Sequence, residues 1–476
     1  MLANRRTKIV CTLGPSSQSE ELIRGLVDAG MNVARINFSH GTHQQHSDTI
    51  KAVRTVASDM NVGIPILADL QGPKVRVGTM MDGGQTIKTG DYLEITTEDI
   101  TGTSKRIPID YPGLVDDASE GNRILIDDGL LELKVIKKNA NKLTALVLEG
   151  GRLKSRKGVN LPEVNLAMSS LTSKDVEDLA FAIQADVEYV ALSFVRSPND
   201  LMELISRLRS AGSHAGVIAK IEKPEALTHL DEIIEEATAL MVARGDLGIE
   251  IASERVPLIQ KRIIERSRMA GKPVITATQM LDSMITHSRP TRAESSDVAN
   301  AVFDGSDAVM LSGETAVGDY PLETVRTMDR ICRSIEDHSS RIYGGLDFRK
   351  PEWKDKQIVE SIAHSVVMLA DNVDARAIGT ITHSGNTAKR IAKFRPRVPI
   401  IAFTESEIVY RQLSLVWGTI PVMLESIFGI DKSVRYMEDY LKSSGLVNSG
   451  DRVVLATGMP VTKKKHTNMV KVSTIS

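Results

Sequence analysis

The sequence has little cysteine, few aromatics, no surplus of either charge and no long apolar run, and each shortage excludes something. Cys11 and Cys332 are its only cysteines among 476 residues, too few for a disulfide framework. They read as buried, reduced thiols, which fits a cytoplasmic setting. No CxxC and no neighbouring Cys/His pair offers structural zinc ligands. Aromatics make up 4%, so base-stacking platforms are not expected. Lys plus Arg is 59 and Asp plus Glu 61, a net charge of −2, without the basic excess of a nucleic-acid binder. No apolar stretch approaches about 18 residues, so no transmembrane helix and no membrane partner are predicted. The opening MLANRRTKIV lacks the apolar region of a signal peptide. Neither a GxxxxGK-Ser/Thr phosphate loop nor GxGxxG occurs. With 42% hydrophobic and 25% charged residues, the chain is not disordered.

What is present is a βα rhythm. TKIVCTLG (7–14) reads as a buried strand, residues 19–29 as a helix with Leu22, Leu26 and Ala29 on one face, and VARINF (33–38) and PILADL (65–70) as further strands. Over 73–167 Gly and Asp turn signals and alternating stretches such as KLTALVLE replace helices, predicting an all-β insert. The rhythm resumes near Leu171 with YVALSF (189–194), VIAKIE (217–222), ALMVAR (239–244), PVITAT (273–278) and DAVMLS (307–312). Three strands before the insert and five after it give the count of a TIM (β/α)8 barrel. A nine-stranded doubly wound sheet is the alternative. At roughly 150 residues per domain the length suits three units. They are an α/β barrel over 1–72 and 168–343, an inserted small β-barrel over 73–167, and a C-terminal α/β domain over 344–476. Residues 342–356 read as an irregular linker.

TIM-barrel sites are built at the C-terminal ends of strands. The second predicted strand ends in Arg35, Asn37 and Ser39, and the third in Asp69, followed by Arg76. The fifth ends in Lys220 and Glu222, the sixth in Arg244 and Asp246, the seventh in Thr276, Thr278 and Gln279, the eighth in Ser312 and Glu314. Solvation explains any one of these, but not a set drawn from so many strands on one rim. Glu222 and Asp246 are hard oxygen ligands suited to Mg²⁺, and Arg35, Arg76 and Lys220 are cations suited to phosphate. Together they are the parts of phosphoryl transfer. Blander readings stand beside them: a strand-end ion pair for Lys220 and Glu222, and an ordinary β-former at Thr278. His40, His43 and His46 have i,i+3 spacing, and a solvated first helical turn explains His43 and His46 better than a metal site. Lys463, Lys464 and Lys465 read as a solvated loop, with contact to a phosphorylated effector as the alternative.

At these residues a family resemblance enters. TKIVCTLGPSS (7–17), VARINFSHG (33–41), DLQGPKVRVG (69–78), KGVNLP (157–162), AKIEKPEAL (219–227), MVARGDLGIEI (241–251), ITATQMLDSM (275–284) and RPTRAESSDVANAVFDGSDAVMLSGETA (289–316) resemble pyruvate kinase segments in family order. The resemblance runs the length of the chain. It implies phosphoryl transfer from phosphoenolpyruvate to ADP, giving pyruvate and ATP in glycolysis. It implies that Arg35 holds the phosphoryl group and that Lys220 neutralises charge on that group and on the enolate oxygen. Glu222 and Asp246 would ligate Mg²⁺ or Mn²⁺, and the backbone of Ala243, Arg244 and Gly245, beside Asp246, would cradle the substrate carboxylate. Thr278 would lie by the face where the enolate is protonated. Asn37, His40, Arg76 and Lys157 would reach the nucleotide, and the insert would close as a water-excluding lid. The resemblance further implies a cytoplasmic homotetramer with contacts through the barrel and C-terminal domain. A Mg²⁺-dependent oxoacid carbon–carbon lyase and a catalytically inactive sugar-phosphate sensor are the competing functions.

Two departures from the family pattern matter. Members that need K⁺ resemble DTKGPEIR at the third strand, where this chain has DLQGPKVR, with Leu70 for Thr and Lys74 for Glu. Asn37, Ser39 and Asp69 still match the family's K⁺ ligands, but a tethered Lys74 ammonium supplies the charge the ion brings. K⁺ is therefore expected to be dispensable. In the C-terminal unit THSGNTA (382–388) resembles the family's effector-phosphate loop, so Thr382, Ser384, Gly385, Asn386 and Thr387 become candidate contacts. A plain turn and helix cap is the alternative. No Arg in KSSGLVNSGD (442–451) matches the one placed for the second phosphate of fructose 1,6-bisphosphate. A monophosphate effector, a sugar phosphate or AMP, is expected.

Overall fold

A computed structural model describes residues 5–162, 164, 168–338, 357–426, 429–461 and 466–476. The linker at 342–356 and Lys463–Lys465 lie outside them. Eight strands, Lys8–Leu13, Val33–Asn37, Ile66–Asp69, Tyr189–Leu192, Gly216–Ile221, Ala239–Ala243, Val274–Ala277 and Ala308–Leu311, pair in parallel in chain order. The eighth closes on the first, Lys8 opposite Ala308 through Cys11 opposite Leu311. These are the eight strands read from the apolar runs, with small shifts at their ends. Closure excludes the doubly wound sheet. Because helices cover the barrel, its strands are buried on both faces, which is why they are continuous apolar runs and not alternating ones. The helices that follow start on capping residues. Ser19 accepts from Leu22 N, and Thr42, Thr172 and Thr291 each form a reciprocal capping box. The first helix, Glu20–Ala29, buries Ile23, Leu26 and Ala29, so Ile23 takes the inward place assigned to Leu22. Cys11 and Cys332 are fully buried and free. Burial raises both thiols, that of Cys332 to about 12, which leaves them unreactive.

Between the third and fourth barrel strands the chain builds a six-stranded sheet, a two-stranded pair of Gly84–Ile87 with Gly151–Lys154, and a short helix at Leu114–Asp117. These share a core of their own, from Val75 and Ile95 to Val147 and Leu161. Past residue 357 a five-stranded sheet has the order Thr419–Met423, Ile400–Thr404, Ala377–Ile381, Arg452–Thr457, Met469–Thr474, the last strand antiparallel. Two neighbours are therefore wound in opposite directions from Ala377–Ile381.

The C-terminal unit is seated on the N-terminal mouth of the barrel. Leu415 packs inside it with Val10, Leu67, Tyr189 and Met241. Tyr189 OH donates to Gln412 O at 2.9 Å, and Ser414 Oγ to Gly63 O at 2.6 Å. Glu188, fully buried, accepts from Ile66 N, Arg54 and Arg411. Lys8 Nζ is buried at the same junction and donates to Thr419 O at 2.7 Å. Burial, with Arg5 adding to it, lowers the Lys8 pKa from 10.5 to about 7. Between those values the unfolded chain holds the extra proton, so the Lys8 contribution to stability rises with pH across that window. Lys8→Met is expected to lose this rise, so wild type gains on the variant by up to about 1.4 kcal/mol per pH unit above pH 7. Denaturant unfolding of both from pH 7 to 9 measures it, and parallel curves would remove Lys8 from the account.

Candidate active site

The second, third and fifth barrel strands bring their polar ends together. Asn37 lies opposite Asp69 in the sheet. Arg35 Nε donates to Asp69 Oδ2 at 2.7 Å and its Nη1 to Thr12 Oγ1 at 2.8 Å. Lys220 Nζ donates to Ser193 Oγ at 2.6 Å and lies 2.9 Å from Glu222 Oε1 and 3.3 Å from Asp69 Oδ1. Phe194 N donates to Glu222 Oε2 at 2.7 Å. Arg35, Asp69 and Glu222 are all buried. Burial alone raises a carboxyl, yet Lys220 and Arg35 outweigh it at Asp69 and hold it below the usual range. At Glu222 burial wins, Asp246 reinforces it, and the carboxyl is raised despite Lys220. Burial opposes the Lys220 ammonium, but Asp69 and Glu222 outweigh it and raise its pKa. This lysine keeps its proton at neutral pH. It suits charge neutralisation and not proton abstraction.

The sixth strand runs into a short helix, Arg244–Glu250, with Asp246 half-buried in its first turn. The Arg244 side chain turns to the seventh strand and donates to Ala277 O and Thr278 O, and it pairs with Asp297 at 2.6 Å. Gly245 N donates to Thr278 Oγ1 at 2.8 Å. Thr278 lies beyond its strand with φ at +69°, a rare and strained conformation for a β-branched residue. Thr276 and Glu314 are fixed inside the fold. The first bonds to Ser306, and the second accepts from Leu281 N and Ser312 N.

From the insert side, Arg76 bridges Gly158, and Lys157 pairs with Asp127 at 2.8 Å. Gly72, with φ at +71°, turns the chain so tightly past Ser193 that an added Cβ would lie 2.8 Å from it. Exposed Lys74 lies over Gly158. Between insert and barrel opens a cleft of about 920 Å³ lined by Lys74, Asp128, Gly245, Asp246 and Thr278. Buried Glu250 fastens the two sides, accepting from Asn160 Nδ2 at 2.9 Å and from Lys223 Nζ at 2.7 Å. Asn37 Oδ1 accepts from Ser39 N at 3.1 Å, and His40 is exposed.

The histidine reading needs correction. The helix begins at His43, leaving His40 outside it. His43 stacks on Phe181 and lies 2.7 Å from Asp178, and His46 is buried 4.5 Å from the Phe38 ring. His43 stays exposed as a solvated first turn implies, while His46 turns inward, so the reading fails for His46 alone. Among the described residues no group of three or more His, Cys, Asp or Glu is arranged for a metal. Glu222 and Asp246 nonetheless fit a small hard cation, which takes one or two carboxylates with substrate oxygens. Burial first and the like charge of Asp246 second raise the Glu222 carboxyl, and a cation held between the two carboxylates would offset both. Thr12, Ser193 and Asp127 join the site although sequence reasoning passed over them.

The C-terminal unit holds a separate cavity of about 430 Å³, lined by Thr382, Ser384, Asn386, Thr387, Arg390 and Thr467 among others. It opens at the carboxyl ends of Ala377–Ile381 and Arg452–Thr457, where the winding reverses. That is where open α/β sheets take ligands. Thr387 Oγ1 and Thr467 Oγ1 are 2.7 Å apart across it. Gly385, with φ at +76°, backs onto Leu413.

Residues 4–325 match the family described as pyruvate kinase, barrel domain, and residues 360–473 that described as pyruvate kinase, alpha/beta domain. The chain is 46% identical over 477 residues to a pyruvate kinase of Geobacillus stearothermophilus, covering 99% of this chain and 81% of that protein. It is 44% identical to one from Sporosarcina psychrophila, covering 99% and 80%. A crystal structure of a pyruvate kinase from Cryptosporidium parvum superposes with a TM-score of 0.92 at 36% identity, over 99% of this chain and 97% of that one.

Proposed function

The chain belongs to the pyruvate kinase family, and from that premise we propose how its own residues carry the reaction. The enzyme moves a phosphoryl group from phosphoenolpyruvate to ADP, giving pyruvate and ATP in glycolysis, and the family requires a divalent metal. The lyase alternative falls with that assignment.

The observation that carries the residue roles is Lys220, held protonated between Asp69 and Glu222 on the buried rim. Its ammonium neutralises charge on the phosphoryl group in transfer and on the enolate oxygen left behind. Arg35, braced by Asp69 and Thr12, binds phosphoryl oxygens. Glu222 and Asp246 hold the metal, which we read as Mg²⁺ or Mn²⁺. Once bound, it neutralises substrate oxygens as a Lewis acid. The backbone of Ala243, Arg244 and Gly245 orients the substrate carboxylate, with Arg244 fixing the seventh strand's end beside it. Thr278, strained and hydrogen-bonded to Gly245, presents its hydroxyl to the face of the enolate that gains a proton. Asn37, His40, Arg76 and Lys157 bind the nucleotide. The insert acts as a lid that excludes water from the phosphoryl group.

Three finer readings complete the proposal. Asp69 already has Arg35 and Lys220 as counter-cations, and Lys74 adds a third charge at the cleft, so K⁺ is dispensable. The cavity of the C-terminal unit takes a phosphorylated effector through Thr382, Ser384, Gly385, Asn386 and Thr387, and a monophosphate suits it better than a bisphosphate. The enzyme is a cytoplasmic homotetramer. Among the described residues no helix is long and apolar enough to cross a membrane.

The test is ATP formation from phosphoenolpyruvate, ADP and Mg²⁺, with effectors titrated in. Turnover should need all three components. A sugar monophosphate or AMP should lower half-saturating phosphoenolpyruvate at lower concentration than fructose 1,6-bisphosphate does. A far stronger response to the bisphosphate discards the effector reading alone, and absence of turnover under every condition discards the residue roles.

A further inference from the structure

Three segments of the chain meet at one oxygen of Glu250. Its Oε1 accepts both from Asn160 Nδ2 and from Lys223 Nζ. Asn160 belongs to the insert. With Val159 it forms a strand paired antiparallel to Arg123–Ile126 of the insert's sheet. Just before it on the same stretch are Gly158, which bridges Arg76, and Lys157, whose carbonyl accepts from Val77 N. What shifts Asn160 therefore shifts the part of the insert that carries Arg76 and Lys157. Lys223 belongs to the barrel and directly follows Glu222. Glu250 ends the helix Arg244–Glu250, four residues after Asp246 and on the same face of it. One carboxylate oxygen thus joins the insert to both segments that bear Glu222 and Asp246.

Stability alone is a weak account of this arrangement. The side chains of Lys223 and Glu250 are 11% and 1% exposed. Desolvating such a pair costs about as much as its attraction returns, and apolar residues would brace the joint as well. What the pair adds is direction, because its hydrogen bonds fix where each partner sits. Outer partners of this kind orient the ligands of metal sites. The joint is also incompletely filled. A cavity of about 40 Å³ beside it is lined by Asn160, Lys223 and Asp246, among others. A fully packed joint would hold the insert by shape, whereas one with a void leans on its hydrogen bonds.

We propose that Glu250 is a positioning residue that couples the place of the insert to the metal site. The inference rests on the reading of Glu222 and Asp246 as metal ligands. Glu250 itself acts at one remove, through Lys223 on one side and through its own helix on the other. With Asn160 docked on Glu250, the segments bearing Glu222 and Asp246 are held in place for the ion. With Asn160 released, they are held less firmly. Docking of the insert and binding of the metal therefore favour each other, and a change that weakens one weakens the other.

The experiment titrates the full chain with Mn²⁺ in the absence of nucleotide and follows the free ion by electron paramagnetic resonance. Half-saturating ADP and kcat are measured beside it, with Mg²⁺ and phosphoenolpyruvate saturating. Asn160→Ala removes the insert's arm and leaves the Lys223–Glu250 pair whole. Its Mn²⁺ dissociation constant and its half-saturating ADP should each rise about tenfold, the worth of one hydrogen bond to a charged group and the usual cost of losing an outer partner. Its kcat and thermal midpoint should change little, since saturating ligands restore the docked place. Asn160→Gln, which keeps the amide, should recover part of both affinities. Glu250→Gln strips Lys223 of its countercharge and should weaken Mn²⁺ at least as much as Asn160→Ala, which decides the matter should Glu250→Gln fail to fold. Unchanged Mn²⁺ binding in Asn160→Ala, or a lowered thermal midpoint with both affinities intact, overturns the coupling. Wild-type Mn²⁺ binding that survives Asp246→Asn would remove the metal reading itself, and this inference with it.

Discussion

Replacing Lys220 by Met should lower turnover by about 10²–10³-fold, the usual cost of one preorganised donor aimed at developing charge. Two neighbours make this more than a generic expectation. Asp69 and Glu222 keep the ammonium charged, and Ser193 Oγ fixes its direction at 2.6 Å. A charge fixed in a buried site needs no reorganisation when the enolate forms. The substitution also frees Glu222 from its ion pair, so direct Mn²⁺ binding should be retained or tightened while turnover falls. A merely structural role would weaken both together. A loss below tenfold, or a parallel loss of metal binding, would take Lys220 out of the chemical step.

The second large effect concerns the monovalent ion. Wild-type turnover should be nearly the same in K⁺ and in tetramethylammonium at equal ionic strength. Lys74→Glu should lose about 10²-fold in tetramethylammonium, the lower end of what removing one preorganised charge costs, and recover in K⁺. The substitution removes a positive charge from the cleft that Asp246 also lines and places a negative one there, at an exposed position where the fold has little at stake. Asn37, Ser39 and Asp69 remain in place to receive the ion. Strong K⁺ stimulation of wild type would end the argument. So would Lys74→Glu remaining active in tetramethylammonium.

The barrel was legible because its strands are buried on both faces, and continuous apolar runs such as ALMVA mark them. The polar ends of the second, third and fifth strands were legible for a related reason, since a charge closing an apolar run is conspicuous. Thr12 and Ser193 close the first and fourth strands in the same way, but a hydroxyl beside apolar neighbours looks like an ordinary β-former. Their role depends on Arg35 and Lys220 arriving from other strands. Asp127 read only as a turn residue until Lys157 came within 2.8 Å. His46 carried a polar label, yet its fate was set by Phe38, a packing partner that helical spacing does not reveal. The junction beneath the barrel left no local mark at all, because Arg395 and Asp307 belong to different units.

That junction also sets a timetable for synthesis. Lys8 pairs only with a strand that begins at Ala308, and Leu415, which fills the barrel mouth, emerges later still. At ribosomal rates of about 5–20 residues per second, the first strand waits roughly 15–60 s with one edge open. An unpaired parallel edge is a template for the wrong partner. The nascent chain therefore passes through its most aggregation-prone state late in translation, and the C-terminal unit, besides any part it plays in control, finishes the barrel that precedes it.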